Sequence, residues 1–138
     1  MGENLNKIVI SAINLSEAGP LSILKDCLNY LSQNLSNQYT IVALVHKKDL
    51  LNIPNITYYE FPDSKKSWLK RLYYEYVHLK KVSQKITPYL WLSLHDITPN
   101  VKTDRLAVYC HNSSPFYELS LKDAMIDQKF VLFNLFYK

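Results

Sequence analysis

The chain has 138 residues, the length of one ordinary domain, and 48% of them are hydrophobic, enough to build a core without disulfides or a structural metal. Its formal net charge of +4 is a modest excess whose meaning depends on whether the positive groups gather in one place. Glycine occurs only at Gly2 and Gly19, which excludes both the three-glycine dinucleotide fingerprint and the glycine-rich P-loop.

The run from Lys7 to Ile13, "KIVISAI", is apolar with β-branched residues at its centre and reads as a first, central strand. A turn cluster ending in Gly19 and Pro20 follows. Leu21, Leu24, Leu28, Leu31 and Leu35 then recur at steps of three and four, one face of a helix, with Pro20 tolerated in its first turn because an N–H is spare there. Tyr39 to Val45 is a second buried strand. Ile56 to Phe61, bracketed by Pro54 and Pro62, is a third. From Ser64 to Ile86 the spacing predicts one helix, with Trp68, Leu69, Leu72, Tyr76, Leu79, Val82 and Ile86 on the core side and Lys66, Lys70, Lys80, Lys81 and Lys85 opposite. Tyr89 to Leu94 is a fourth strand, and Arg105 to Cys110 a fifth, read as buried.

Strands alternating with helices imply an α/β, Rossmann-like, doubly wound sheet of about five mainly parallel strands with helices on both faces, in a single domain. Cys27 and Cys110 sit far apart in apolar segments and read as buried thiols rather than a disulfide. With no leader pattern before the first strand and no apolar run of bilayer length, the chain is expected to be soluble and cytoplasmic. The terminal "KFVLFNLFYK" is apolar almost all round, so a further part of a longer protein, or a membrane, is expected to cover it.

Ligands of open α/β sheets bind outside the carboxyl ends of the strands, where the strand order reverses. Three loops are therefore expected together: Asn14 to Gly19, His95 with Asp96, and His111 with Asn112, Ser113 and Ser114. A histidine at a strand end beside small hydroxyl and amide groups suits a polyhydroxylated or phosphorylated ligand, although the same residue also serves as an ordinary turn or half-buried ring. Asp96 equally suits a turn before Pro99. A helix opening at Ala18, Gly19 and Pro20 presents free N–H groups to an anion.

The four histidines and two cysteines show none of the short spacings of zinc sites, and no Gly-x-Ser-x-Gly elbow exists, so neither a metal, another cofactor nor hydrolase chemistry is expected. The basic helix face is either simply solvated or attracted to anionic lipid, an effect of about 1 kcal/mol per basic residue near the surface, through Lys66, Lys70, Lys81 and Lys85. Nucleic acid is not expected as a partner, because no interleaved aromatic and basic pattern of an RNA-binding sheet is present.

Three stretches, "KIVISAINLSEAGPLSILKDCLNYL", "LWLSLHDITPNVKTDRLAVYCHNSSPFY" and "KFVLFNLFYK", together resemble the N-terminal domain of bacterial family 4 glycosyltransferases, over most of the chain from Lys7 to Tyr137. "VYCHNSSPF" is the most specific part. The resemblance implies one half of a two-domain GT-B architecture and transfer of a sugar, with retention and without a metal, from a nucleotide-sugar donor to a carbohydrate or lipid-linked acceptor. It also implies that Gly19 belongs to a loop closing over the donor diphosphate, where Ala18 replaces a second glycine of the family. His111 matches the histidine at the sugar end of the cleft, and His95 and Asp96 a loop bordering the acceptor. The paired glutamates of the family's E-x7-E motif belong to its C-terminal domain and are absent here, so the isolated chain is expected to be inactive. A second expectation, from another class, is a flavodoxin-like or receiver-like binding module that performs no chemistry.

Overall fold

The computed structural model describes residues 5–111 together with Met125 and Val131. Five strands, β1 (Asn6–Ala12), β2 (Tyr39–Val45), β3 (Ile56–Glu60), β4 (Leu90–Ser93) and β5 (Arg105–Val108), form one sheet in the order β3-β2-β1-β4-β5, every pair parallel. The α/β, Rossmann-like class and the parallel five-stranded sheet are thus as the sequence predicts. The order runs outward from β1 to β3, then returns to the other side of β1, so the reversal falls between β1 and β4. This is the 3-2-1-4-5 order of dinucleotide-type sheets and differs from the 2-1-3-4-5 order of flavodoxin-type and receiver-type sheets, which takes away the fold basis of the second expectation.

β1 is central and its last five residues are all buried. Its side chains alternate between two clusters. Ile8, Ile10 and Ala12 pack with Leu24 and Leu28 of α1 (Ala18–Asn34), while Val9 packs with Trp91, Val42 and Leu44 and with Leu79 and Ile86 of α3 (Leu79–Ile86). The leucine stripe of α1 faces the sheet as its spacing predicts. A 3-10 turn, Lys48–Leu50, links β2 toward β3.

The segment before β4 departs from a single helix. It comprises α2 (Trp68–Tyr73), a π-helical turn (Tyr74–His78) and α3. Hydrogen bonds from i to i+5 put an extra residue into the turn, so the face that α3 presents to the core does not continue into α2. Leu79 and Ile86 are buried as predicted, but Trp68, Leu69 and Tyr76 are exposed and Glu75 turns inward. α3 ends at Thr87, whose φ of 52° lies in the left-handed region, immediately before Pro88.

β5 corrects a second expectation. Among the described residues it is an edge strand, its residues 105–107 are exposed, and Cys110 beyond it is exposed too. Cys27 is half-buried, and burial pushes its thiol pKa up. Among the described residues no helix is long and apolar enough to cross a membrane. The terminal apolar segment lies outside the described residues except for Val131.

Candidate functional site

The reversal between β1 and β4 brings the carboxyl ends of β1, β4 and β5 side by side. Leu94 N–H donates to Ser11 O (2.9 Å) and Tyr109 N–H to Ser93 O (2.8 Å), so the ladders continue to the rim. From there the loop after β1 carries Asn14, the loop after β4 carries His95 and Asp96, and β5 leads to His111.

His111 is exposed, yet its position is held at two points. Its backbone N–H donates to Asp96 Oδ1, and its ring Nε2 lies 2.6 Å from Leu94 O. A carbonyl can only accept, so Nε2 carries the hydrogen. The Tyr109 ring meets the imidazole edge-on at 4.6 Å between centroids. Asp96 therefore acts here as the anchor between the β4 and β5 loops.

His95 stands differently from its expected place on a loop bordering the cleft. It is 3% exposed, and its Nε2 lies 2.5 Å from Oε1 of Glu75, whose side chain is wholly buried in the π turn. Ser93 Oγ donates toward the carbonyls of His95 (3.3 Å) and Ile97 (3.2 Å), and Asn100 N–H donates to Glu75 O (3.0 Å), so the loop is stitched to both β4 and the π turn. The sequence reading missed Glu75. A glutamate among tyrosines in a helical stretch reads as solvent-facing, and only the π turn rotates it inward.

Gly19 and Pro20 are exposed and lie within the first turn of α1, not in a turn preceding it, and Ala18 is the first helical residue. A Cβ built on Gly19 would meet open space, and its φ is not positive, so nothing in its surroundings requires glycine. Glu17 caps the helix without a side-chain hydrogen bond. Asn112, Ser113 and Ser114 lie outside the described residues.

The basic residues of the α2–α3 segment are exposed: Lys66, Lys70, Lys80, Lys81 and Lys85. Lys66 pairs with Asp63 at 2.5 Å, and this contact raises the lysine pKa and lowers that of the carboxyl. Next to them Trp68, Leu69, Tyr73, Tyr76 and Val77 expose large apolar surface. His78 packs edge-on to Phe61 and Tyr74; burial, with Lys81 and Lys85 nearby, holds its pKa below the ordinary imidazole value. Among the described residues no three His, Cys, Asp or Glu side chains group as a metal site.

Compared with protein-family models, curated proteins and solved structures, the chain matches none, so the glycosyltransferase resemblance rests on its own sequence stretches.

Proposed function

We propose that the chain is the acceptor-side domain of a glycosyltransferase that moves a sugar from a nucleotide sugar to a polysaccharide or lipid-linked acceptor. On this reading a second domain supplies most of the nucleotide recognition, and this domain supplies one wall of the cleft. The observation that carries the reading is the rim at the strand-order reversal, where the exposed His111 is anchored by Asp96 and Leu94. A ring fixed in orientation through its Nε2 suits a directed hydrogen bond to a sugar hydroxyl.

His111 is assigned to the donor sugar or the surroundings of its leaving group. Asp96 positions it. Buried His95 and Glu75 support the loop from behind rather than touch the ligand. The exposed aromatic and basic surface of α2 and α3 suits a peripheral position at an anionic membrane, the setting of a lipid-linked acceptor.

The test is a transfer assay with the natural gene product. Radiolabelled sugar from a panel of uridine, guanosine and thymidine diphosphate sugars is offered with membranes holding lipid-linked acceptors. Incorporation from one donor supports the reading. No incorporation from any donor by well-folded protein, together with no binding of the panel, counts against it.

A further inference from the structure

On the outer side of the α2–α3 segment Leu69, Tyr73, Tyr76 and Val77 recur at steps of three and four, and Trp68 stands beside them at the start of α2. These side chains are well exposed, Leu69 at 72% and Trp68 at 57%. Single exposed apolar residues are ordinary, but a stripe of them along one helical segment marks a surface that meets another apolar phase. Lys70 lies within the stripe, and Lys80 and Lys81 extend it one turn beyond Val77; all three are exposed.

The charge of this face is set by the π turn. Between Asp63 and Asp96 the only acid in the sequence is Glu75, and the turn buries it against His95. The extra residue therefore has two effects at once. It brings out Trp68, Leu69 and Tyr76, which an unbroken helix would send to the core, and it takes the one negative charge off the face.

Charge and apolarity together select the occupant. A second copy of the chain would set lysine against lysine, with no acid on the stripe to receive them. A nucleic acid would use the lysines and the rings but would leave Leu69 and Val77 against water or phosphate. An anionic bilayer surface meets both needs: aromatic rings settle at the headgroup level, aliphatic side chains reach the acyl boundary, and lysines are drawn to acidic headgroups. We propose that this face inserts into anionic lipid, with Trp68 and Leu69 entering the headgroup layer and Lys70, Lys80 and Lys81 meeting lipid phosphates. The inference rests on the membrane setting of the proposed transferase and names the residues that make the contact. Its experiment contains no sugar donor, so vesicle binding holds or fails independently of transfer.

The test is sedimentation of the full chain with phosphatidylcholine vesicles, with and without phosphatidylglycerol, and tryptophan quenching by brominated acyl chains. The two tryptophans separate the signals, because Trp91 is wholly buried and Trp68 is exposed. Binding is expected to require phosphatidylglycerol, and quenching to disappear in Trp68→Phe while binding remains. Trp68→Ala combined with Leu69→Ser weakens binding at least about tenfold. Lys70→Gln, Lys80→Gln and Lys81→Gln together weaken it about 100-fold, about fivefold for each charge. Thermal melts establish that the variants are folded, and the single changes Leu69→Ser and Lys81→Gln stand in for a combination that is not. Absence of binding to phosphatidylglycerol vesicles, equal binding by the parent and folded variants, or dimerisation that shields Trp68 from acrylamide overturns the proposal. So does retention on DNA that is stronger than on vesicles and indifferent to the changes at Trp68 and Leu69.

Discussion

Glu75 and His95 meet inside the protein, Oε1 to Nε2 at 2.5 Å, one from the π turn and the other from the loop that follows β4. The contact joins the helix layer to the strand-order reversal. Glu75 Oε2 and His95 Nδ1 are also buried and have no partner among the described residues, so the pair depends on its one bond.

Removing one member of a buried pair strands the other. Glu75→Ala and His95→Ala are each expected to destabilise the protein by about 3 kcal/mol, with the double variant losing clearly less than the sum. Urea unfolding of the four proteins measures the coupling. Additive losses would show that the two side chains do not support each other.

His78 makes stability depend on pH in one direction. Its pKa is lowered by folding, chiefly by burial and then by Lys81 and Lys85, so the unfolded chain binds the proton more readily. Stability contributed by the neutral ring is therefore complete above the ordinary value of 6.5 and is lost as pH falls toward and through the lowered folded value. His78→Phe keeps an aromatic ring against Phe61 and Tyr74, and is expected to flatten the difference in melting temperature between pH 7.5 and pH values of about 5. An unchanged acid loss in the variant contradicts this assignment.

Asp96 is expected to govern order at the end of β5. Asp96→Ala removes the acceptor of the His111 backbone N–H, a charge-assisted bond whose loss costs about 1.5–3 kcal/mol locally. Amide hydrogen exchange at His111 should accelerate at least about tenfold while β1 and β2 amides keep their protection. Equal protection of the His111 amide in both proteins would mean that the anchor has no such role.

Most of the sheet was legible because its strands are short apolar runs with β-branched centres. Tyr39–Val45 coincides with its predicted span, and the leucines of α1 follow a period that nothing interrupts. The segment from 64 to 86 departs from its predicted single helix because a period of 3.6 assumes an unbroken α-helix, and residues 74–78 carry no local mark of the extra residue. That single offset exposes Trp68 and Leu69, buries Glu75 and creates the partner of His95. The apolar run through β5 predicts a buried strand, but composition does not distinguish an edge strand from an inner one.

The rim itself was legible in outline, since ligand-bearing loops follow from strand order alone. What the sequence could not specify is the division of labour within it. Two histidines follow β4 and β5, and only packing decides that His95 turns inward to a carboxylate while His111 stays at the surface. Gly19 invited a role in close backbone approach, which open space around it does not demand.

The measurement that bears most directly on the central claim is turnover by the natural gene product carrying His111→Ala, with the preferred nucleotide sugar and acceptor and with folding checked by circular dichroism. Loss of one oriented hydrogen bond at the reacting sugar predicts a fall in kcat of about 100-fold with melting temperature retained. Parental turnover by the folded variant would contradict the placement of this rim at the reacting sugar.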